Sequence, residues 1–192
     1  MVGTSPINVK ANRASRKWTP KQLLGRLIWE LVRTPVFAWS PRPLWFWRRT
    51  ILRIFGAKIG PGVRIFSSVK IAIPWNLTIG EYAAVGDGAI LYSLGTIEIG
   101  PSTTISQYAH LCAGSHDHQR SDFPLAKLPI KIGAEAWVCA DAFIGPGVSV
   151  GNRAIVGARA VAMRDINNSA IMVGNPATQI GTRDTKGRRT KK

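Results

Sequence analysis

All three histidines of this chain fall close together, at His110, His116 and His118. A neutral imidazole is a natural base for a hydroxyl near neutral pH, so this stretch is where proton transfer is expected. His116 and His118 sit in the segment CAGSHDHQRSDFPLAKLPIK, residues 112–131. Asp117, between them, suits a turn better than an orienting carboxylate, because sequence neighbours usually point apart. Phe123, Pro124 and Leu125 read as the apolar anchor that folds the segment back.

The segment stands out because it interrupts a rhythm. Ile59, Ile65, Ile71 and Leu77 recur at every sixth position, as do Ile79, Val85, Leu91 and Ile97. Ile99, Ile105 and Leu111 form a third run, and Ile132, Val138, Ile144, Val150 and Val156 a fourth. Six residues are three strand repeats and match no helical period, which suits a short strand followed by a turn. Glycine often follows the aliphatic, as at Gly60, Gly80, Gly100, Gly133 and Gly151. It enters strained or close-packed backbone at little steric cost. The reading is a parallel β-helix over residues 59–181, with one aliphatic side chain pointing inward per strand. The 112–131 segment is then a long loop leaving a rigid solenoid, a usual place for function.

Composition narrows the function. The net charge of +16 is unevenly placed: +12 in residues 1–64, −1 in 65–181 and +5 in 182–192. A neutral solenoid argues against nucleic-acid binding, and the basic tail 182–192 reads as disordered and solubilising. Cys112 and Cys139 each follow an inward aliphatic, so they read as small wall residues rather than a disulfide framework or thiolate metal site. The first twenty residues lack the apolar stretch of a signal peptide, and Arg26, Glu30 and Arg33 break the most apolar run, so a cytoplasmic location is expected.

Residues 1–18 read as a flexible basic terminus and 19–58 as a helical extension. Thr19-Pro20 has the form of an N-cap followed by proline in the first turn. Leu23, Leu24, Leu27, Ile28, Leu31 and Val32 follow at helical spacing, with an end near Thr34-Pro35. A second helix is expected from Ser40-Pro41 to Gly56. Five of the seven tryptophans lie between Trp18 and Trp47. Such a face caps the open edge of a β-helix, or lies on an anionic inner-membrane surface, and the two roles are compatible.

The chain resembles the left-handed β-helix acyltransferases, most closely the colanic-acid-type exopolysaccharide O-acetyltransferases. The stretches that carry the resemblance are LRIFGAKIG (52–60), PWNLTIGEY (74–82), ISQYAHLCAGSHD (105–117), PIKIGAEAWV (129–138), FIGPGVSVGNRAIVGARAV (143–161) and VGNPA (173–177). It covers roughly residues 20–181. The hexapeptides specify only the superfamily, whereas the GSHD loop, PWNLTIG and the GNP ending together are more specific.

The resemblance implies a left-handed hexapeptide β-helix that assembles as a homotrimer and takes acetyl-CoA in a groove between subunits. It implies a sugar or lipid-linked oligosaccharide acceptor and no metal. His116 matches the general base, and a backbone N–H is expected to stabilise the oxyanion. Trp137 matches a tryptophan beside the CoA groove, and Ala140 and Ala158 match small positions along the pantetheine chain. Met163 and Arg164 match a Thr-Lys pair at the CoA end, closed by Asn175 and Pro176. Thr178 and Gly181 stand where a basic residue is common, which leaves Arg183 as its substitute. The stretch LYSLGT lacks the family's acceptor-binding acid, so Asp87, Tyr92 and Ser93 are the acceptor candidates. Two other classes share the fold: a zinc lyase of the γ-carbonic-anhydrase type, for which three crowded histidines are poorly spaced, and a non-catalytic scaffold.

Overall fold

A computed structural model describes residues 8–184 and 189–191. The chain forms a β-solenoid of about six turns with a helical extension at its N-terminal edge. Its first face carries Lys58–Ile59, Leu77–Ile79, Ile97–Ile99, Ile130–Ile132 and Ser149–Val150. The second carries Arg64–Ile65, Ala84–Val85, Thr104–Ile105, Trp137–Val138, Ile155–Val156 and Ala170–Val173. The third carries Lys70–Ile71, Ile90–Tyr92, His110–Cys112, Phe143–Ile144 and Val161–Ala162. Strands pair in parallel between successive coils.

Every aliphatic position of the four six-residue runs is buried. Burying each such side chain contributes about 1.5–3 kcal/mol, so their stack is the core. Lys58 pairs with Thr78 and Thr78 with Glu98, an advance of 20 residues per coil, whereas Lys131 pairs with Ser149, an advance of 18. The two additional residues of the early coils lengthen the first face, where Leu77 and Ile79 both point inward. The third corner of the coil, between the third and first faces, carries the short 3-10 turn Pro74–Asn76 in the first coil and the 112–131 loop in the third.

The glycines that follow an inward aliphatic serve contact rather than backbone strain. A Cβ on Gly80 would lie 2.5 Å from Pro101 N, and one on Gly133 would lie 2.5 Å from Asn152 N. Coils stack too closely there for any side chain. The left-handed backbone falls two residues later at the first corner, at Tyr82 and Glu135.

The extension caps the solenoid. Coil N–H groups point towards the C-terminal end, as in Arg64 N to the Ala83 carbonyl, which leaves first-coil carbonyls at the opposite edge. Side chains meet them: Arg53 donates to Ile59, Arg49 to Val63, Arg48 to Ile65 and Trp29 to Ile71. Arg48 is fully buried, also donates to the Ser40 hydroxyl and to the Pro41 and Arg42 carbonyls, and burial lowers its pKa. Trp29, Phe37, Ile51 and Leu52 continue the apolar core above the coil.

Helix α1 spans Val9–Ala14, α2 Pro20–Val32 and α3 Trp45–Ile54. Thr19 caps α2, as its sequence suggests, and Gln22 returns the bond to the Thr19 backbone. The chain does not stop at Thr34-Pro35, because a wider π-helical turn, Arg33–Ala38, admits the proline. The next helix starts at Trp45 rather than Pro41, since Ser40 and its neighbours are spent on Arg48. Gly56, at φ 86°, ends it as expected.

Among the described residues, parts of both chain ends make backbone pairings. Asn8 N donates to the Ser121 carbonyl, so α1 is tied to the 112–131 loop. Thr178–Arg183 turns back antiparallel on Ala170–Val173, and Arg189–Lys191 adds a further antiparallel strand. The open edge of the second face supplies the unpaired backbone groups that make this pairing favourable. Residues 1–7, 185–188 and 192, which complete the basic terminus and tail, lie outside the described residues.

Candidate active site

His116 leaves the third corner on a two-residue strand, Ser115–His116, that pairs antiparallel with Leu125–Ala126. Its Nδ1 lies 2.9 Å from the Phe123 carbonyl oxygen. A carbonyl only accepts, so Nδ1 carries a proton, and in the neutral imidazole the lone pair is then on Nε2. The Phe123 ring stacks on the imidazole at 4.6 Å with planes 5° apart. The pairing of Asp117 N with the Pro124 carbonyl closes the hairpin. Phe123-Pro124-Leu125 therefore anchors the loop, as its composition suggests, and its backbone orients the imidazole.

The other two histidines have different surroundings. His118 is exposed beyond the hairpin, and Asp117 accepts from Gln119 N as a turn residue does. His110 lies on the third face between Ile90 and Phe143 in register, edge-on to Tyr92 and Phe143. Its Nε2 is buried without a hydrogen-bond partner, and burial lowers its pKa. Among the described residues no three His, Cys, Asp or Glu side chains cluster as a metal ion would require.

The donor-side candidates fall into separate groups. Met163 and Arg164 at the third corner line a pocket of about 480 Å³ with Met172, Pro176, Ala177 and Thr178. The GNPA segment and the Met-Arg pair thus meet, with Asn175 exposed beside Pro176. Ala140 and Ala158 occupy successive coils of the second corner, where Arg159 N bonds the Ala140 carbonyl. Trp137 faces outward from the second face, its Nε1 2.8 Å from Ser106 Oγ. One chain does not bring these groups into a single cleft.

Arg183 is a correction. It lies at the first corner, where its guanidinium donates to the Glu135 carbonyl and its N–H to the Ser169 carbonyl. The antiparallel strand carries it away from the Met163–Arg164 pocket, so it does not replace the missing base there. Arg164 is the exposed cation of that pocket.

Ser93 is a second correction. It is fully buried, accepting from Ile73 N at 2.9 Å and donating to the Ile73 carbonyl at 2.8 Å. The chain bends inward at the third corner, so this hydroxyl fastens two coils and cannot reach an acceptor. Tyr92 is exposed beside the root of the loop: a Cβ on Gly114 would lie 3.0 Å from its ring. Asp87 sits at the second corner, where it accepts from the Ser68 hydroxyl. Tyr92 is therefore the acceptor candidate that shares a corner with His116 in one chain.

Sequence reading missed the contacts that reach the loop from the N-terminal strap, residues 8–18. Asn12 Nδ2 donates to the Asp122 and Phe123 carbonyls, and Trp18 packs under the Lys127 ammonium, 3.5 Å from the ring centroid. No local pattern announces a pairing across 111 residues.

No family profile matches the chain. It is 47% identical over 156 residues to a protein of Escherichia coli K12 named as a colanic acid biosynthesis acetyltransferase, WcaF, covering 81% of this chain and 86% of that protein. Its fold matches galactoside acetyltransferase solved with coenzyme A, with TM-score 0.80, 19% identity and coverage of 93% of this chain and 90% of that one. A Vibrio cholerae hexapeptide-repeat acetyltransferase solved with acetyl coenzyme A matches with TM-score 0.78, 18% identity and coverage of 87% and 91%.

Proposed function

Because this chain belongs to the hexapeptide-repeat acetyltransferases of the colanic-acid-biosynthesis type, we propose that it transfers acetyl from acetyl-CoA to a hydroxyl of an envelope or exopolysaccharide sugar. The observation that carries this reading is the state of His116. The Phe123 carbonyl holds the proton on Nδ1 and leaves Nε2 free to accept one. His116 takes the proton of the sugar hydroxyl as its oxygen attacks the thioester carbonyl. The carbon–sulfur bond then breaks, and His116 returns the proton to the departing sulfur.

The Met163, Arg164 and Pro176 pocket suits the donor: its lining is largely apolar, and Arg164 offers a cation for a phosphate. Trp137, Ala140 and Ala158 lie on other parts of the coil, so a complete groove calls for a neighbouring copy. A homotrimer supplies one at each contact, and we assign Asp87 to the acceptor side of the groove of another copy. Mass spectrometry of the surface polysaccharide, with and without this protein, tests the function. Loss of one acetyl substituent is expected, and unchanged acetylation overturns the reading.

The reaction is assigned to the cytoplasmic side of the inner membrane, where lipid-linked sugars are assembled. Among the described residues no helix is long and apolar enough to cross a bilayer. Instead α2 turns Trp29 into the cap and leaves Leu24, Leu27, Ile28 and Leu31 on its outer side, with Leu31 67% exposed. Trp39 and Ile54 are 79% and 77% exposed. Arg48, Arg49 and Arg53 are engaged at the coil edge, but Lys10, Arg13, Arg16 and Lys21 remain exposed nearby. Each cation near an anionic leaflet contributes about 1 kcal/mol. The full-length protein is expected to float with anionic liposomes at low salt and to be released at high salt. Indifference to anionic liposomes at low salt leaves the extension with its capping role alone.

A further inference from the structure

We propose that Asn12 is a positioning residue for the base, acting through the Phe123 carbonyl; this rests on the assignment of His116 as base. The Phe123 carbonyl oxygen accepts two hydrogen bonds, one from His116 Nδ1 and one from Asn12 Nδ2. A carbonyl has two lone pairs, and here both are directed. Asn12 is 9% exposed, and its amide is fully oriented by its partners. Nδ2 faces the Asp122 and Phe123 carbonyls, while Oδ1 accepts from Lys17 Nζ at 2.6 Å. Reversing the amide would set oxygen against two carbonyls and nitrogen against an ammonium.

Phe123 needs such a hold. Its φ of 44° lies in the left-handed region, which is costly for a bulky side chain and persists only where surroundings enforce it. The strap encloses this residue's loop from both ends. Asn8 N donates to the Ser121 carbonyl on one side. On the other, Lys127 Nζ donates to the Lys17 carbonyl and sits over Trp18, whose ring is also covered by Arg26. Asn12 is the member that touches the group orienting the imidazole. Without its amide, the Phe123 peptide can relax, and the imidazole loses both its fixed acceptor and its stacked ring.

The test compares Asn12→Ala and the near-isostere Asn12→Asp in the full-length protein. Both should lower kcat by about 10- to 100-fold, the scale of a misplacement near one ångström. KM for acetyl-CoA should stay constant, because the Met163–Arg164 pocket lies on other coils. Asn12→Asp should be no better than Ala, since a carboxylate repels both carbonyls. Nitrogen-15 NMR of the His116 imidazole gives a readout independent of any acceptor. Wild type should hold the proton on Nδ1, and the variants should show mixed tautomers. Wild-type kcat with an unchanged tautomer in Asn12→Ala overturns the proposal. A wild-type enzyme that transfers no acetyl counts against the proposed reaction, while the tautomer comparison still decides the role of Asn12.

Discussion

The solenoid wall and the His116 loop are built on different principles. A wall residue such as Leu111 packs between Leu91 and Ile144, and the same pattern repeats above and below. Its position is set by many equivalent contacts and by ladders of backbone hydrogen bonds. His116 rests instead on a two-residue ladder, one carbonyl and one stacked ring. The wall contributes folding free energy and says little about chemistry, whereas the loop contributes little to folding and fixes the tautomer of the His116 imidazole. Rigid scaffold and functional loop are thus separable by mutation.

The largest effect expected is catalytic. His116→Ala should reduce acetyl transfer by about 10²–10⁴-fold, the usual contribution of a positioned base. Its melting temperature should match wild type, because the ring packs on Phe123 outside the stacked core. Steady-state kinetics beside a thermal melt checks both halves. Near wild-type turnover removes His116 as base, and a large drop in melting temperature breaks the division between wall and loop.

The converse substitution lies in the wall. Leu111 is fully buried in the core, and Leu111→Ala should destabilise by about 2–5 kcal/mol through lost burial and the cavity left behind. At a temperature where the variant is still folded, kcat should stay close to wild type. Urea unfolding gives the first quantity and initial rates the second. A loss below about 0.5 kcal/mol would mean that the coil collapses around the gap and that the wall is softer than its register implies.

The same difference explains what was legible in the sequence. The wall was readable because its rule is local and repeated: every aliphatic residue of the six-residue runs is buried. The cap of α2 was readable for the same reason, since Thr19 and Pro20 are neighbours. The loop announced itself as a break in the rhythm, and its candidate base by residue type. The fate of Ser93 was not readable, because a six-residue period does not show which way the chain bends at a corner. Nor was that of Arg183, whose strand reverses after the GNPA turn. The role of Asn12 depends on a contact across 111 residues between two irregular segments, where no periodicity exists. The basic N-terminal region was legible as charge but not as use, since Arg48, Arg49 and Arg53 meet the carbonyls of a coil edge.

The smallest effect expected comes from His110, a histidine that belongs to the wall rather than the loop. Its ring packs edge-on to Phe143 at 5.2 Å and near Tyr92, with Nε2 buried and unpaired. Burial lowers its pKa below the ordinary 6.5 because the charged form loses hydration. The unfolded chain therefore takes up a proton near that ordinary value, while the folded chain does so only at lower pH. As pH falls from 7 towards 5, the unfolded state binds more protons, so this residue subtracts stability until the folded pKa is passed. Asp and Glu largely retain their charge through that window, which isolates the histidine contribution. His110→Phe keeps an aromatic ring against Phe143 and removes the titration. Its urea midpoint should decline less than wild type between pH 7 and pH 5, with acetyl transfer at neutral pH preserved. Equal declines would show that His110 is solvated in the folded chain, and a collapse of activity would move it from the wall into the reaction.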